Sequence, residues 1–312
     1  MGLRSWGRLT VLIGAALTVP GCGQIGSAGA VPQGATTQAR AHRATSGDLI
    51  YATGGCGGVC VLSYPQGQIV NSIHTTGQLG ALCSDASGNV FVSNDTQVLE
   101  YTHGGTSPIA TLSLPGHAGY ACSVDPTTNN LAVVFKSDSG DIAVFANESG
   151  TPSIYASTID SLVCGYDNAG NLLIGGFNGL YPGLAELPQG QGAITVLSIS
   201  GTLGNPGQVQ WDGSHMTYET ISSQRISVAQ LSISGSLATV IGTTPIKGVK
   251  FAAQSWIYDR KILVPSGGKA VKVNKIGVWA YPKGGKTKDA YKLANPKSLD
   301  FQGVTVSVAP NS

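Results

Sequence analysis

Hydrophobic and polar residues alternate in short segments through most of the chain, from residue 48 to residue 308. A period of two is the pattern of a β-strand that has one buried face and one exposed face. The segments are separated by turns rich in Gly, Pro, Asn and Asp, which favour tight reversals of the backbone. The pattern therefore predicts an all-β protein and excludes a helical bundle or coiled coil.

One hairpin pattern recurs six times along the chain. Each copy has an alternating strand, a Gly-rich turn and a second alternating strand, and the first strand ends at Tyr64, Tyr101, Phe145, Leu187, Leu231 or Tyr281. A second motif, an Asp followed by a turn and an apolar strand, begins at Asp85, Asp125, Asp167 and Asp212. A repeat of roughly 40 to 45 residues that carries four strands is typical of one blade of a β-propeller.

The first copy of the repeat is incomplete, because only three strands, beginning near Asp48, precede the second copy. The alternating segment 299–308 near the C-terminus supplies the missing strand. We therefore predict a six-bladed β-propeller over residues 48–308, with its ring closed by the C-terminal strand, which pairs into blade one.

The N-terminus has the pattern of an export signal. Arg4 and Arg8 precede the apolar run 9–19, which is too short to span a bilayer as a helix. The sequence Val-Pro-Gly-Cys that ends at Cys22 resembles the lipobox of bacterial lipoproteins, whose Cys is acylated. We predict a signal peptide over 1–21 and lipidation at Cys22; the alternative is cleavage after Ala30, which completes an A-x-A pattern.

Residues 22–47 contain no aromatic residue and predict a flexible, low-complexity tether. With an acylated Cys22, this tether would hold the folded part clear of the membrane. We therefore expect an exported lipoprotein that is anchored to a membrane on the periplasmic or cell-surface side.

The D-x-x-G-N turn and the V-x-x-Y-x-x-G-G hairpin resemble those of NHL-type and SMP-30/gluconolactonase-like six-bladed propellers of exported bacterial proteins. The resemblance covers residues 48–308 and is strongest over 80–176. Members of that superfamily range from metal-dependent lactonases and lyases to binding scaffolds. The resemblance to a lactonase implies a divalent cation held by Glu, Asn and Asp of the inner strands. The corresponding segments 82–84, 121–123, 163–165 and 209–211 contain no Glu.

Other catalytic signals are sparse. The five histidines show no metal-ligand spacing; they are His42, His74, His103, His117 and His215. The chain has no G-x-S-x-G elbow, H-E-x-x-H motif or phosphate-binding loop. We expect no catalytic residue, metal or cofactor, and we predict a membrane-tethered binding scaffold. The alternative is a metal-dependent lactonase, hydrolase or lyase of the SMP-30-like type with degenerate motifs.

Apart from Cys22, the chain has an odd number of cysteines, which cannot all pair internally; they are Cys56, Cys60, Cys83, Cys122 and Cys164. Cys56 and Cys60 flank a turn and can form a local disulfide. The other three occupy similar places in successive repeats. They indicate either buried apolar packing near the propeller axis or a ring of thiols that could bind a metal.

Charge is scarce and unevenly placed along the chain. The formal net charge is +2, which gives no argument for nucleic-acid binding. Residues 48–246 contain 13 acids and two bases, Lys136 and Arg225, whereas residues 247–297 contain 11 Lys and one Arg against two Asp. Either the blades attract one another across the closure of the ring, or the basic segment binds anionic partners.

On the second interpretation, the ligand-binding candidates are Lys269, Lys272 and Lys275. The partner would be a protein, a glycan or an anionic surface ligand such as a lipid headgroup. We expect the protein to be a monomer.

Overall fold

The computed structural model describes residues 47–75, 77, 79–136, 140–222, 225–249, 254–266, 275–294 and 303–310. The predicted signal peptide, Cys22 and the predicted tether up to residue 46 lie outside the described residues, as do Lys269 and Lys272. The described part contains two short 3-10 helices, Ala146–Glu148 and Pro188–Gly190, and its other elements are strands. No helix in these ranges is long and apolar enough to cross a membrane.

We number the strands β1 to β24 in chain order. The first twelve are β1 (Leu49–Gly55), β2 (Gly58–Ser63), β3 (Ile69–His74), β4 (Leu79–Ser84), β5 (Val90–Asn94), β6 (Gln97–Tyr101), β7 (Ala110–Ser113), β8 (Gly119–Val124), β9 (Leu131–Phe135), β10 (Ile142–Phe145), β11 (Ser153–Tyr155) and β12 (Asp160–Tyr166). The others are β13 (Leu172–Asn178), β14 (Tyr181–Leu187), β15 (Thr195–Ser200), β16 (Asn205–Trp211), β17 (Met216–Ser222), β18 (Arg225–Ser234), β19 (Leu237–Ile246), β20 (Trp256–Tyr258), β21 (Lys261–Ser266), β22 (Lys275–Ala280), β23 (Asp289–Lys292) and β24 (Val304–Ser307).

The strands form an all-β, propeller-like arrangement of sheets. Four sheets have four strands each, in the orders β24-β1-β2-β3, β4-β5-β6-β7, β8-β9-β10-β11 and β20-β21-β22-β23. The fifth has eight strands, in the order β12-β13-β14-β15-β19-β18-β17-β16. The repeat pattern predicted six separate sheets. The pattern did not predict that two of these sheets are joined, because the join is made by the parallel pairing of β15 with β19 and not by a repeated motif. Both are outer edge strands, whose backbone groups would otherwise lack strand partners.

The last strand of the chain belongs to the first sheet. β24 pairs antiparallel with β1, so that Ile50 lies opposite Val306, and both side chains are buried. The N–H of Thr53 donates to the carbonyl of Gly303 at 3.1 Å, and the N–H of Gly303 donates to Thr53 Oγ1 at 2.9 Å. The C-terminal segment is therefore part of the packed first sheet.

We use the word unit for each four-stranded sheet and for each half of the eight-stranded sheet, β12 to β15 and β16 to β19. We call β24, β4, β8, β12, β16 and β20 the inner strands, because those of neighbouring units contact one another. Ser84 Oγ donates to the carbonyl of Val306 at 2.8 Å, and the N–H of Tyr166 donates to Ser123 Oγ at 3.0 Å. In both pairs the two residues lie near the C-terminal ends of their strands. The inner strands therefore run in the same direction.

This common direction gives the fold two distinct ends. We call the end that holds the turns from inner to second strands the Asp-turn end; these turns are 85–89, 125–130, 167–171 and 212–215. In an antiparallel sheet, the connections from second to third strands lie at the opposite end. The connection from the last strand of one unit to the inner strand of the next lies there too. We call it the Leu180 end, because the β13–β14 connection there consists of Gly179 and Leu180.

The hydrophobic core lies between neighbouring sheets. Ile142 of the third sheet packs in one cluster with Cys164 and Ile174 of the next unit. The indole of Trp279 and the rings of Tyr51 and Phe91 are also buried. A single sheet cannot bury both of its faces, so contact between units buries apolar side chains and stabilises the fold.

Candidate functional site

The Asp residues of the inner-strand turns bind their own turns. Asp85 accepts hydrogen bonds from the N–H of Asn89 at 2.7 Å and from Asn89 Nδ2 at 2.8 Å. Asp167 accepts the equivalent pair from Asn171, both at 2.9 Å. Gly88 has a φ of 90°, which explains why a glycine stands in this turn. These carboxylates therefore stabilise the reversal from the inner to the second strand.

The remaining two turns reach the same result with different donors. Asp125 accepts from the hydroxyls of Thr127 and Thr128 at 2.7 and 2.6 Å. Asp212 accepts from Gln230 Nε2 at 2.8 Å and from the hydroxyl of Tyr281. Burial raises the pKa of Asp212, but the hydrogen bonds from Tyr281 and Gln230 outweigh it and hold the pKa below its usual value.

The divalent cation implied by a lactonase-like resemblance does not fit these residues. Among the residues that the structure describes, no three His, Cys, Asp or Glu side chains are grouped so that they could hold a metal ion. The inner-strand turn carboxylates, which are the nearest chemical match, are engaged with their own turns. We therefore derive no chemistry through a metal at this position.

Two of the inner-strand cysteines are joined across a sheet boundary. Cys83 of β4 and Cys122 of β8 form a disulfide, with their Cα atoms 5.7 Å apart. Cys164 of β12 is a buried free thiol, and burial raises its pKa to about 12. The interpretation of these residues as three equivalent thiols is therefore wrong. Because the two bonded sulfurs are consumed, this array cannot act as a three-thiol metal ligand.

A second disulfide joins Cys56 to Cys60, with a Cα separation of 5.2 Å. These are the two residues that the sequence marked for a local bridge. Cys60 is buried in β2, and the N–H of Cys56 donates to the carbonyl of Ala294 at 3.1 Å. The disulfide therefore lies where the first sheet contacts the residues that follow β23.

His103 and Ser307 form a pair that superficially resembles a base and a nucleophile. His103 Nδ1 lies 2.6 Å from Ser307 Oγ, and Nε2 lies 2.9 Å from the carbonyl of Gly47. Ser307 is completely buried, however, and its hydroxyl donates to the carbonyl of Gly88. The pair therefore ties the two ends of the described chain to the second sheet, and Ser307 is not available to a substrate.

Gln254 links strands that are not neighbours in sequence or in one sheet. Its side chain is buried just before β20; Nε2 donates to the carbonyl of Leu82 at 2.6 Å, and Oε1 accepts from the N–H of Leu82 at 3.1 Å. Gln210 of β16 makes a similar double contact with the backbone of Ile257, at 2.9 and 2.7 Å. Amide side chains thus act as substitutes for strand pairing between inner strands.

Glu219 is a buried carboxyl that the sequence analysis missed. It lies on β17 opposite a bulge in β16, where the register shifts between Pro206 and Val209. Glu219 Oε2 accepts from the Ser255 hydroxyl, whereas Glu219 Oε1 and Gln208 Oε1 are buried without a partner in the described part of the chain. Burial raises the pKa of Glu219 to about 7, against the opposing effect of the Ser255 hydrogen bonds.

The sequence carries only a weak signal for Glu219, which is the one acid of the segment 216–222. The structure shows that the first four residues of this strand, Glu219 among them, are buried on both faces. A charged residue is expensive to bury in such a strand. Gly207 explains how it fits, because a Cβ at that position would lie 2.9 Å from Glu219 Cγ and Cδ.

The Lys candidates are only partly within the described chain. Lys269 and Lys272 lie outside it, while Lys275 begins β22 and is half-buried opposite Lys292 of β23. Two like charges on opposite strands are unfavourable unless an anion or solvent screens them.

The most exposed large apolar side chains of the described residues lie together at the Leu180 end. Leu180 is 93% exposed and Tyr181 is 76% exposed. The pairing of Asn178 with Tyr181 closes a tight connection between β13 and β14, with Leu180 in the connection and Tyr181 at the start of β14. The sequence analysis did not single them out, because an isolated Leu-Tyr pair in a turn has no pattern.

Comparisons with known proteins support the fold and do not assign a family. No family model matches the chain, and no curated protein sequence matches it. A crystal structure of a protein of unknown function from Bacteroides caccae is similar over 84% of this chain and 99% of that chain, with a TM-score of 0.62 and 12% identity. Hydrazine synthase of Kuenenia stuttgartiensis is similar over 68% of this chain and 65% of that chain, with a TM-score of 0.50 and 12% identity.

These identities define a class of fold and no more. The chain is an all-β protein with a propeller-like arrangement of sheets. The comparisons do not support membership of the NHL or SMP-30 families, nor the lipoprotein assignment.

Proposed function

We propose that this protein is a six-bladed propeller, closed by β24, that acts outside the cytoplasm as a non-catalytic binding scaffold. The blade count is supported by the eight-stranded sheet, which divides at the β15–β19 pair into two units of four strands. Each unit has its own inner strand and its own Asp turn, at Asp167 and Asp212. The pairing of β24 with β1 supports closure of the ring.

One observation carries the scaffold role: the reactive and polar groups of the inner strands bond to other units. Cys83 is bonded to Cys122 and Gln210 to the backbone of Ile257 across neighbouring units, and Gln254 bonds to the backbone of Leu82 on a strand that is not its neighbour. Such groups rigidify the boundaries between sheets. A rigid framework that presents loops at its ends is how many propeller-like and sandwich folds bind partners.

Export is supported by the two disulfides, because disulfides persist in oxidising compartments and are rare in the cytosol. We further propose that Cys22 is acylated and that residues 23–47 tether the propeller to a membrane. The proposed partner is a protein, a glycan or an anionic surface ligand that binds at the loops, and the proposed state is a monomer.

The test is the metal content of the purified chain from residue 23 onwards, which retains every described strand. Elemental analysis should find no stoichiometric Ca²⁺, Zn²⁺ or Mn²⁺, and a chelator should leave the melting temperature unchanged. One tightly bound metal whose removal lowers the melting temperature would contradict the scaffold role. It would favour a metal-dependent hydrolase or lyase instead.

A further inference from the structure

The Leu180 end of the fold carries an apolar tip on a rigid support. Leu180, in the short β13–β14 connection, is 93% exposed, and Tyr181, the first residue of β14, is 76% exposed. Pro182 follows directly and restricts the backbone. Exposing this much apolar surface to water is costly. At a fixed, protruding position it indicates a surface that contacts a partner.

Two bases flank this tip. Residues 48–246 contain only Lys136 and Arg225 as basic residues. Lys136 follows β9, in the connection from the second to the third strand of its sheet, and Arg225 begins β18 after the equivalent connection. The Leu180 tip belongs to the unit between them, so that all three connections lie in neighbouring units and at the same end.

Other bases at the Leu180 end extend this charge. They are Lys275 at the start of β22 and Lys292 at the end of β23. Lys136 and Arg225 are exposed, and neither forms an ion pair with a carboxylate in the described part of the chain. Among the described residues, the exposed or half-buried acids at this end are Asp95, Asp141 and Asp160.

The Asp-turn end carries charges of both signs. Its described bases are Arg260, Lys261, Lys283, Lys286 and Lys288. Its exposed or half-buried acids are Glu148, Asp167, Glu186, Asp212, Asp259 and Asp289, while Asp48, Asp85, Glu100 and Asp125 are buried. Among the described residues, bases therefore outnumber exposed or half-buried acids at the Leu180 end and do not at the Asp-turn end.

We propose that the Leu180 end docks on an anionic lipid bilayer, with Leu180 and Tyr181 inserted between headgroups and the surrounding bases paired with lipid phosphates. This rests on the proposed function as an exported scaffold and names its partner. A Tyr beside a Leu is suited to the interface, where an apolar body and a polar hydroxyl are both accommodated. Basic residues near an anionic surface add electrostatic attraction, and a fluid bilayer can receive a protruding tip without a preformed pocket.

The test uses the chain from residue 23 onwards, which has no acyl group, and vesicles of phosphatidylcholine with or without phosphatidylglycerol. We expect sedimentation with the phosphatidylglycerol vesicles at low salt and weak binding to phosphatidylcholine alone. Lys136→Gln with Arg225→Gln should weaken this binding about 25-fold, since one base near an anionic surface contributes about fivefold. Leu180→Ser with Tyr181→Ser should weaken it at least about tenfold.

Matched controls lie at the Asp-turn end. Ile109 is 56% exposed, so Ile109→Ser removes a comparable apolar side chain, and Lys283→Gln with Lys286→Gln removes two bases. These variants should bind phosphatidylglycerol vesicles as the parent does. A Tyr181→Trp variant should show a blue-shifted emission on those vesicles and no shift on phosphatidylcholine alone.

Three results would overturn the docking proposal: no binding to phosphatidylglycerol vesicles, equal binding to both vesicle types, or equal losses in the controls. Retention on acidic polysaccharide or on a protein, without vesicle binding, would also overturn it and assign the surface to that other class of partner. Metal content measured on the same preparation separates the two proposals. A metal-free protein that ignores vesicles leaves the scaffold role standing and removes only the lipid surface.

Discussion

Cys83 and Cys122 are bonded across the boundary between two sheets even though they occupy non-equivalent positions in their repeats. Cys83 lies two residues before Asp85, whereas Cys122 lies three residues before Asp125. Successive side chains of a strand point to opposite faces. The offset of one residue therefore turns Cys83 towards the third sheet and Cys122 towards the second.

The same offset predicts that a disulfide can be introduced at the next boundary, between β8 and β12. Ser123 holds the position of Cys83, and Cys164 holds the position of Cys122. We expect Ser123→Cys to bond to Cys164, which removes the free thiol. Closing this loop stabilises the fold by up to about 4 kcal/mol in the chain-entropy model, and often by less.

Thiol titration under denaturing conditions, peptide mapping and melting temperature measure this outcome. Ser123→Ala is the control, because it loses the hydrogen bond from the N–H of Tyr166 without adding a sulfur. Two titratable thiols in the oxidised Ser123→Cys variant would show that the boundaries are not equivalent.

Glu219 predicts a pH dependence of stability. Its pKa rises from 4.5 to about 7 on folding, so the folded state binds a proton more tightly than the unfolded state. The free energy of unfolding should therefore fall as pH rises from about 4.5 to about 7 and then level off. Glu219→Gln cannot ionise, and above pH 7 it should be more stable than the parent by up to about 3 kcal/mol.

Urea unfolding across this pH range measures the difference. Asp160→Asn, at an exposed position, is the control and should change the slope little. A Glu219→Gln variant with the same pH slope as the parent would mean that Glu219 is not the group responsible.

The proposed closure of the ring by β24 predicts that truncation is costly. A chain that ends at Ser298 loses the strand opposite β1 and exposes the apolar face around Ile50. Removing the buried Val304 and Val306 alone should lower the free energy of unfolding by at least about 3 kcal/mol. Truncation after Pro310 keeps β24 and serves as the control. Melting within a degree or two of the parent by the Ser298 truncation would refute closure.

The predicted lipid anchor has a direct genetic test. Cys22→Ala should release the protein from the membrane fraction or leave an unprocessed precursor, because the acylated residue is absent. Mass spectrometry of the mature N-terminus measures this. A mature chain that begins at Val31 in both proteins would show that the A-x-A site is used instead.

The repeat and its turns were predictable because they are local. The Asp-turn sequence specifies hydrogen bonds within a few residues, as at Asp85 and Asn89, and the strand alternation specifies which face is buried. The pairing of β15 with β19 was not predictable, since it depends on how two outer edges approach each other in space. Six separate sheets were expected for that reason.

The candidate surface was visible only in part. Counting charges along the chain separated an acidic stretch from a basic one, but it did not show which charges share an end of the sheets. Lys136 and Arg225 were the two bases of an acidic stretch; strand direction places them at the same end as Leu180, in the two neighbouring units. Sequence distance gives no access to that relationship.

The central claim is that the two ends of the fold have different roles, with binding confined to the Leu180 end. Hydrogen–deuterium exchange of the chain from residue 23 onwards, with and without phosphatidylglycerol vesicles, tests it most directly. The account predicts slower exchange in peptides that cover 178–182 and those that contain Lys136 and Arg225. Peptides that cover the turns 85–89 and 167–171 should be unchanged. Protection at those Asp turns, or none at the Leu180 end, would contradict it.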